Sequence, residues 1–267
     1  MVTTGLSGSE LSRSVLIMPK LLVDTHVHIY PDYNVSLLLN SALRNLQAAA
    51  SGPNRNHFVL ALTERFDCNF FKSNLETKWH GKWELKRTSD LKLICAQKAE
   101  DRIYILPGRQ NISEEKLEIL TLGSDDFRAE GLPATEIIKG SMETGLVTVL
   151  PWSFGKWWGK RGKLVEKLIS DSTLKFSLGE PAHRFGIEPK LFSKAKILNR
   201  NLLHGTDPLP LANEESRVAQ YGSIFEIEEG ELSYPKIIEA LIKSPSRYGE
   251  RTSFASSLLF QLKLRSG

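Results

Sequence analysis

Cysteine is nearly absent: the 267 residues hold only Cys68 and Cys95, far apart and in no CxxC or zinc-type spacing. That excludes a disulfide framework and a thiolate metal site, and makes a reducing cytoplasm the expected home. Long apolar runs are missing too. None approaches the roughly 20 residues of a membrane span, and the short run at 15–18 falls well below the core of a secretory signal, so no membrane association is expected. A large charge excess is also lacking. Lys and Arg number 35 against 31 Asp and Glu, without the clustered basic face of a phosphate-backbone binder. No specific nucleic-acid partner is therefore expected. Repeats, low-complexity tracts and a Walker-type phosphate loop are likewise absent.

What remains is an ordinary globular composition, 41% hydrophobic and 25% charged, able to bury a sizeable core. Apolar runs of strand length alternate with amphipathic stretches. "LLVDTHVHIY" precedes "VSLLLNSALRNLQAAA"; "HFVLALTERF", "RIYILPGR" and "KLEILTLG" follow as strands, with Asn111 and Ser113 in a turn. "ATEIIKGSMETG" leads into "LVTVLPW", "GKLVEKLISD" into "LKFSLGE", and "EPKLFSKAKIL" into "NLLHGTD"; "NEESRVAQYG" reads as a short helix before "SIFEIE" and "YPKIIEALIKS". This order predicts an α/β fold, a distorted parallel β/α barrel of the TIM-like kind. The barrel is expected over 18–245, between a loose tail at 1–17 and an extension at 246–267 packed as a helix. The stretch 68–99 is the least regular and reads as an insertion or an antiparallel excursion.

The first strand carries the chemistry. Residues two apart on a strand share a face, so Asp24, His26 and His28 are expected to point one way and Val23, Val27 and Ile29 the other. Two imidazoles so spaced can reach one divalent metal at the strand's C-terminal end, where barrel enzymes build their sites. Packed core histidines are the competing explanation. "LLHGTDPLP" ends a late strand with Asp207, and Gly205 allows close backbone approach. A carboxylate there lies beside strand one when the sheet closes, able to bind metal or take a proton from a metal-activated water; it could equally cap the turn before Pro208.

"VDTHVHIY", "LALTERFD", "ILPGRQ" and "HGTDPLP" resemble, in the same order, the motifs of the PHP (polymerase and histidinol phosphatase) phosphoesterases. The resemblance implies a distorted seven-stranded β/α barrel, bound zinc, manganese or iron, and hydrolysis of phosphate esters. His26, His28 and Asp207 carry over as ligands. Glu64 and Arg65 stand where that family has Asp-His, which makes Glu64 a substitute ligand. Gln110 replaces a bridging Glu, Leu150 a histidine, and Leu209 the final histidine. Such an inventory supports one divalent ion, or a site without metal, rather than three.

"LPWSFGKWWGKRGK" at 150–163 interleaves Trp152, Trp157 and Trp158 with Lys156, Lys160, Arg161 and Lys163. Placed between a strand and a helix, it offers positive charge and flat faces to an anionic group. Lys156, Trp157 and Arg161 are the substrate-binding candidates, with Arg184 and Arg217 as a further anion clamp; His183 is a candidate ligand or acid, so Asp207 and His183 form the expected catalytic pair. Solvated loop charges are the plainer reading of each. His57 and His80 receive no role. The expected function is a metal-dependent hydrolase of a phosphate ester or similar anionic small molecule. An amidohydrolase-like C–N or lactone hydrolase, and a degenerate barrel binding an anionic sugar or nucleotide, are the alternatives.

Overall fold

The computed structural model describes residues 18–50, 56–184 and 188–252, so the expected tail at 1–17 and residues 253–267 of the expected extension lie outside the described residues. The described chain runs β1 (Lys20–Val27), α1 (Val35–Ala49), β2 (His57–Leu62), α2 (Phe70–Ser73), β3 (Lys78–His80), β4 (Trp83–Arg87), β5 (Ile94–Lys98), β6 (Asp101–Leu106), β7 (Gly108–Ile112) and β8 (Glu118–Leu122). It continues through α3 (Ala134–Glu143), β9 (Val147–Pro151), α4 (Gly159–Ser170), β10 (Ser177–Pro181), α5 (Lys190–Ile197), β11 (Leu202–Gly205), a 3-10 turn (Glu214–Arg217), β12 (Tyr221–Glu226), α6 (Tyr234–Leu241) and β13 (Ser246–Gly249). Helix α1 shows why these assignments form. Asn34 caps it by accepting from Leu37 N at 3.0 Å, and Leu38, Leu39, Ala42, Leu43 and Leu46 recur at helical spacing to make one buried face.

The α/β class holds, but a closed parallel barrel does not form. The strands make an eight-stranded sheet, β13-β12-β1-β2-β6-β5-β4-β3, and a five-stranded sheet, β11-β10-β9-β8-β7. Among the described strands, the parallel ladders are β1–β2, β2–β6, β9–β10 and β10–β11. The run read as one strand, "RIYILPGR", breaks at Pro107: β6 pairs in the first sheet and β7 in the second. Proline ends a ladder because it has no N–H to donate. Gly108 then passes so close to β2 that a Cβ would sit 2.3 Å from the Leu62 carbonyl oxygen. The irregular stretch becomes the antiparallel strands β3, β4 and β5 on the first sheet. The segment expected as a closing helix begins instead with β13, paired antiparallel to β12, and Asn111 lies inside β7 rather than in a turn.

The sheets meet along two seams. On one side Glu64 N–H donates to Gly108 O at 3.1 Å and Gln110 N–H to Glu64 O at 3.0 Å. On the other, Asp207 N–H donates to His26 O at 2.8 Å and the Thr25 hydroxyl to His204 O at 2.9 Å. Between the sheets Leu21, Val23, Val59, Leu106, Leu120, Val149 and Leu203 pack with Ile237 and Leu241 of α6. Outside them, α1 covers β1 and β2, while α3, α4 and α5 cover β8 to β10.

Candidate metal centre

Strand β1 does not keep strict alternation. Its register against β2 shifts between Asp24 and Val27, the signature of a bulge. Before the shift Leu21 and Val23 pack between the sheets and Leu22 under α1; after it, Val27 and Ile29 join Leu22 on the α1 side. Asp24 is therefore separated from the histidines, and the expectation that all three share a face is corrected. Asp24 is fully buried and accepts from four donors: Thr206 N at 2.8 Å, the Thr206 hydroxyl, Ala219 N at 2.9 Å and His26 N at 3.2 Å. Burial outweighs these bonds and pushes its carboxyl up to about 6. Its work is to tie β1 to the chain after β11.

His26 and His28 turn into a cleft of about 470 Å³, whose lining comes largely from residues just past the ends of β1, β2, β9, β10 and β11. His26 Nε2 lies 3.1 Å from His28 Nε2. Asp207 Oδ1 lies 3.3 Å from the first and 3.5 Å from the second. On the other carboxylate oxygen, Asp207 Oδ2 faces His183 Nε2 at 3.6 Å. Gly205 makes this approach possible, since a Cβ there would meet His26 N at 2.5 Å. Asp207 itself sits at φ +51°, a left-handed conformation that aspartate tolerates better than most residues.

These donors fit a metal ion. A tetrahedral shell with bonds of 2.0–2.1 Å spaces its donors about 3.3 Å apart, and the three separations bracket that value. His26, His28 and Asp207 are also the one His/Cys/Asp/Glu group suited to a metal among the described residues. Burial pushes His26 down to about 3, against the opposing pull of Asp207, so its imidazole is neutral and its lone pair available at neutral pH. Burial would raise Asp207, but the imidazoles around it hold its carboxyl below the ordinary range. The direction that stands is an ionised Asp207 facing a neutral His26, the state a divalent ion requires. The buried Nδ1 of His183 has no hydrogen-bond partner among the described residues.

The other expected residues divide. Lys156 lines the cleft with its ammonium paired to Glu118. Glu64 lies elsewhere: it is buried, accepts from Phe71 N at 3.3 Å and stands 4.0 Å from Arg109 Nη1. Trp157, just before α4, is core, packed edge-on against Phe192 with ring centroids 5.7 Å apart. Arg161 donates to Gly155 O at 3.1 Å, and Arg217 pairs with Glu214 at 3.0 Å; neither lines the cleft.

Arg184 belongs to a second buried cluster on the outer face of β10 and β11. Glu180 accepts from Arg184 Nε at 2.6 Å and from the Tyr221 hydroxyl at 2.6 Å, with His204 Nδ1 at 3.2 Å. Burial raises the Glu180 carboxyl, but those partners overcome it and bring it down to about 2. An anion clamp of Arg184 with Arg217 is thereby corrected.

Sequence reasoning gave no role to Tyr30, Phe66, Glu118, Glu130, Ser153 and Phe154, all lining the cleft, and noticed Arg65 and Gln110 only as departures from the family motifs. Most share one readable signal, a place just beyond a strand's C-terminal end. Arg65 lies 6.0 Å over the Tyr30 ring and pairs with Asp67 at 3.2 Å.

No family profile matches the chain, and no curated protein matches it by sequence. Among solved structures, PsfC from Pseudomonas syringae PB-5123 aligns with a TM-score of 0.60 at 14% identity, over 92% of this chain and 100% of PsfC. At that identity the likeness is one of fold. Endonuclease Q, in complex with a 27-mer duplex substrate carrying an abasic lesion at the active site, aligns at TM-score 0.49 and 12% identity over 86% of this chain. The lesion-specific endonuclease PfuEndoQ from Pyrococcus furiosus gives the same TM-score, identity and coverage. This chain spans only 58% and 57% of those two. The expectation of a small anionic substrate with no nucleic-acid partner is contradicted by neighbours of which one holds duplex DNA, and it is withdrawn. No helix among the described residues is long and apolar enough to cross a membrane.

Proposed function

We propose that the chain is a metal-dependent phosphoester hydrolase of the PHP-like kind, working from one divalent ion held by His26, His28 and Asp207. The supporting observation is the convergence of two imidazole nitrogens and one carboxylate oxygen at 3.1, 3.3 and 3.5 Å, at the floor of a cleft that also holds Arg65 and Lys156. Zinc, manganese and iron all suit such a nitrogen and oxygen set. A divalent ion there supplies Lewis-acid polarisation of an ester oxygen and makes a water molecule more acidic.

The remaining work belongs to the chain's own groups. Asp207 Oδ1 faces both ring nitrogens, which leaves Oδ2 to accept a proton. His183 Nε2, facing Oδ2, holds a proton where it can pass to a departing alkoxide. The Lys156 ammonium and the Arg65 guanidinium neutralise the non-bridging phosphoryl oxygens, with Lys156 exchanging Glu118 for substrate.

The test is elemental analysis of protein purified without chelator, then turnover of mono- and diester p-nitrophenyl phosphates beside amide and lactone controls. One bound ion, with phosphoester turnover abolished in the paired His26→Ala, His28→Ala variant, is the expected result. Turnover of amides or lactones alone would move the reading to an amidohydrolase-like enzyme. No bound ion, and no turnover after addition of zinc, manganese or iron, would leave a binding protein without catalysis.

A further inference from the structure

The mouth of the cleft carries aromatic faces for which hydrolysis alone has no use. Phe66 lines the cleft and is 68% exposed. Phe154 lines it from the loop before α4, and Trp158, 61% exposed, packs edge-on against Phe154 with ring centroids 5.0 Å apart. The neighbouring Trp157 is buried in the core, so the same short loop sends one tryptophan inward and leaves the next in water. Large apolar rings held in solvent at the edge of a polar cleft mark a binding surface.

Two cations stand at this mouth, each beside an acid it can exchange for a phosphate, Arg65 beside Asp67 and Lys156 beside Glu118. Arg65 directly precedes Phe66, and Lys156 lies between Phe154 and Trp158; the cleft's acids are Glu118, paired with Lys156, Glu130, which accepts from Ile112 N at 3.3 Å, and Asp207 at its floor. Depth matters equally. His26 and His28 are each only 4% exposed, so an ester must be carried down into a cavity of about 470 Å³, the size of a small-ligand pocket. A base-stacked duplex keeps its phosphates on a stiff outer surface and cannot lower one to that floor. A nucleotide released from its stack can, and its base then needs a new flat face.

We infer that the substrate is a nucleic-acid strand, engaged at an unstacked nucleotide whose phosphodiester meets Arg65 and Lys156 while the adjoining bases stack on Phe66 and on the Trp158–Phe154 pair. This rests on the hydrolytic reading for what happens to the phosphodiester, but the stacking itself requires no metal.

Binding to the full chain in chelator separates the two. The probes are a fluorescein-labelled oligo(dT) strand, the same strand in a blunt duplex, dTMP and ribose 5-phosphate, read by anisotropy or competition. The single strand is expected to bind best. Phe66→Ala and Trp158→Ala should each weaken it about tenfold, with Trp158→Phe recovering most of the loss; both positions are exposed, and Trp158→Phe guards against misfolding. Equal binding of strand and ribose 5-phosphate, or indifference to both rings, would overturn the inference while phosphoester turnover left the hydrolytic reading standing. Tighter binding of duplex than of strand would overturn it too, as would dTMP binding as well as the strand. Ring-dependent strand binding in a protein that binds no metal and turns over no ester would support the inference and sink the hydrolytic reading.

Discussion

Strands β10 and β11 bring a carboxylate and an imidazole together twice, once on their outer face and once beyond their ends. In the outer cluster Glu180 is saturated by Arg184, Tyr221 and His204. In the cleft, His26 and His28 aim nitrogens at each other, Asp207 receives no bond shorter than 3.3 Å from a ring, and His183 Nδ1 has no partner among the described residues. The residue types are alike; the satisfaction of their hydrogen-bonding capacity is not. A buried carboxylate ringed by short, charge-assisted bonds stabilises a fold, whereas ring nitrogens that face each other and a carboxylate at longer range are arranged to share a further ligand. Composition would class these clusters together; the partners of each carboxylate, and the greater exposure of Asp207, separate them.

That distinction can be broken by substitution. Ranked by effect on unfolding free energy, Glu180→Ala comes first, because it removes the carboxylate on which the Arg184 guanidinium, the Tyr221 hydroxyl and His204 converge. It should cost about 3–5 kcal/mol in denaturant melts without altering the metal stoichiometry of the folded protein. Loss of metal at denaturant concentrations where the variant stays folded would show that the clusters are not separable.

Acid should find the same group. The Glu180 carboxyl lies near 2 in the fold against an ordinary 4.5, so its contribution is complete above the unfolded value and is lost as pH falls from 4.5 through 2. The loss is on the order of 3 kcal/mol, and Glu180→Gln should flatten that part of the pH–stability curve. Unchanged acid sensitivity in Glu180→Gln would assign the effect elsewhere.

Gly205→Ala sits between the clusters. Its Cβ would collide with His26 N, so a destabilisation of about 1–3 kcal/mol should come with a metal affinity reduced more than the fold requires. Calorimetric titration with zinc would show it; an affinity equal to the parent's would mean that the seam yields without moving the imidazole. Smallest is His26→Ala with His28→Ala. In chelator this pair should shift stability by less than about 1 kcal/mol, since neither ring nitrogen has a strong partner to lose, while metal affinity falls at least about a hundredfold. A large loss of stability in chelator would make the cleft cluster structural after all.

How much of this could be read in the chain depended on what decides each feature. Strand β1, its histidines and Asp207 were legible because hydrophobic run length and a strand-end carboxylate are local properties. Asp24 was misplaced by the bulge, which swaps faces without leaving a mark in the pattern. The closed barrel was inferred from alternating elements, yet Pro107 moves the chain from one sheet to the other within a single apolar run. Arg184, Arg217, Arg161 and Trp157 were offered to a ligand from their charge or flat face and their place past a strand, but beyond a strand end the direction of a side chain is set by its loop. Glu64 stood in the right register and still faces Arg109, a contact made across 45 positions of sequence that no window would reveal.

Positions 204–207 hold four side-chain tasks in succession: a histidine in the outer network, a glycine that makes room for His26, a threonine bonded to Asp24 and the aspartate of the cleft. No two of these tasks accept the same residue, and none can be handed to a neighbour, since each step along the chain changes the direction faced. A saturation mutagenesis scan should find this tetrad among the least tolerant positions of the chain, since architecture and chemistry are written on the same few letters. Asp207 alone of the four faces the cleft, so its replacement should weigh least on the fold, while the three residues before it hold the seam between the sheets.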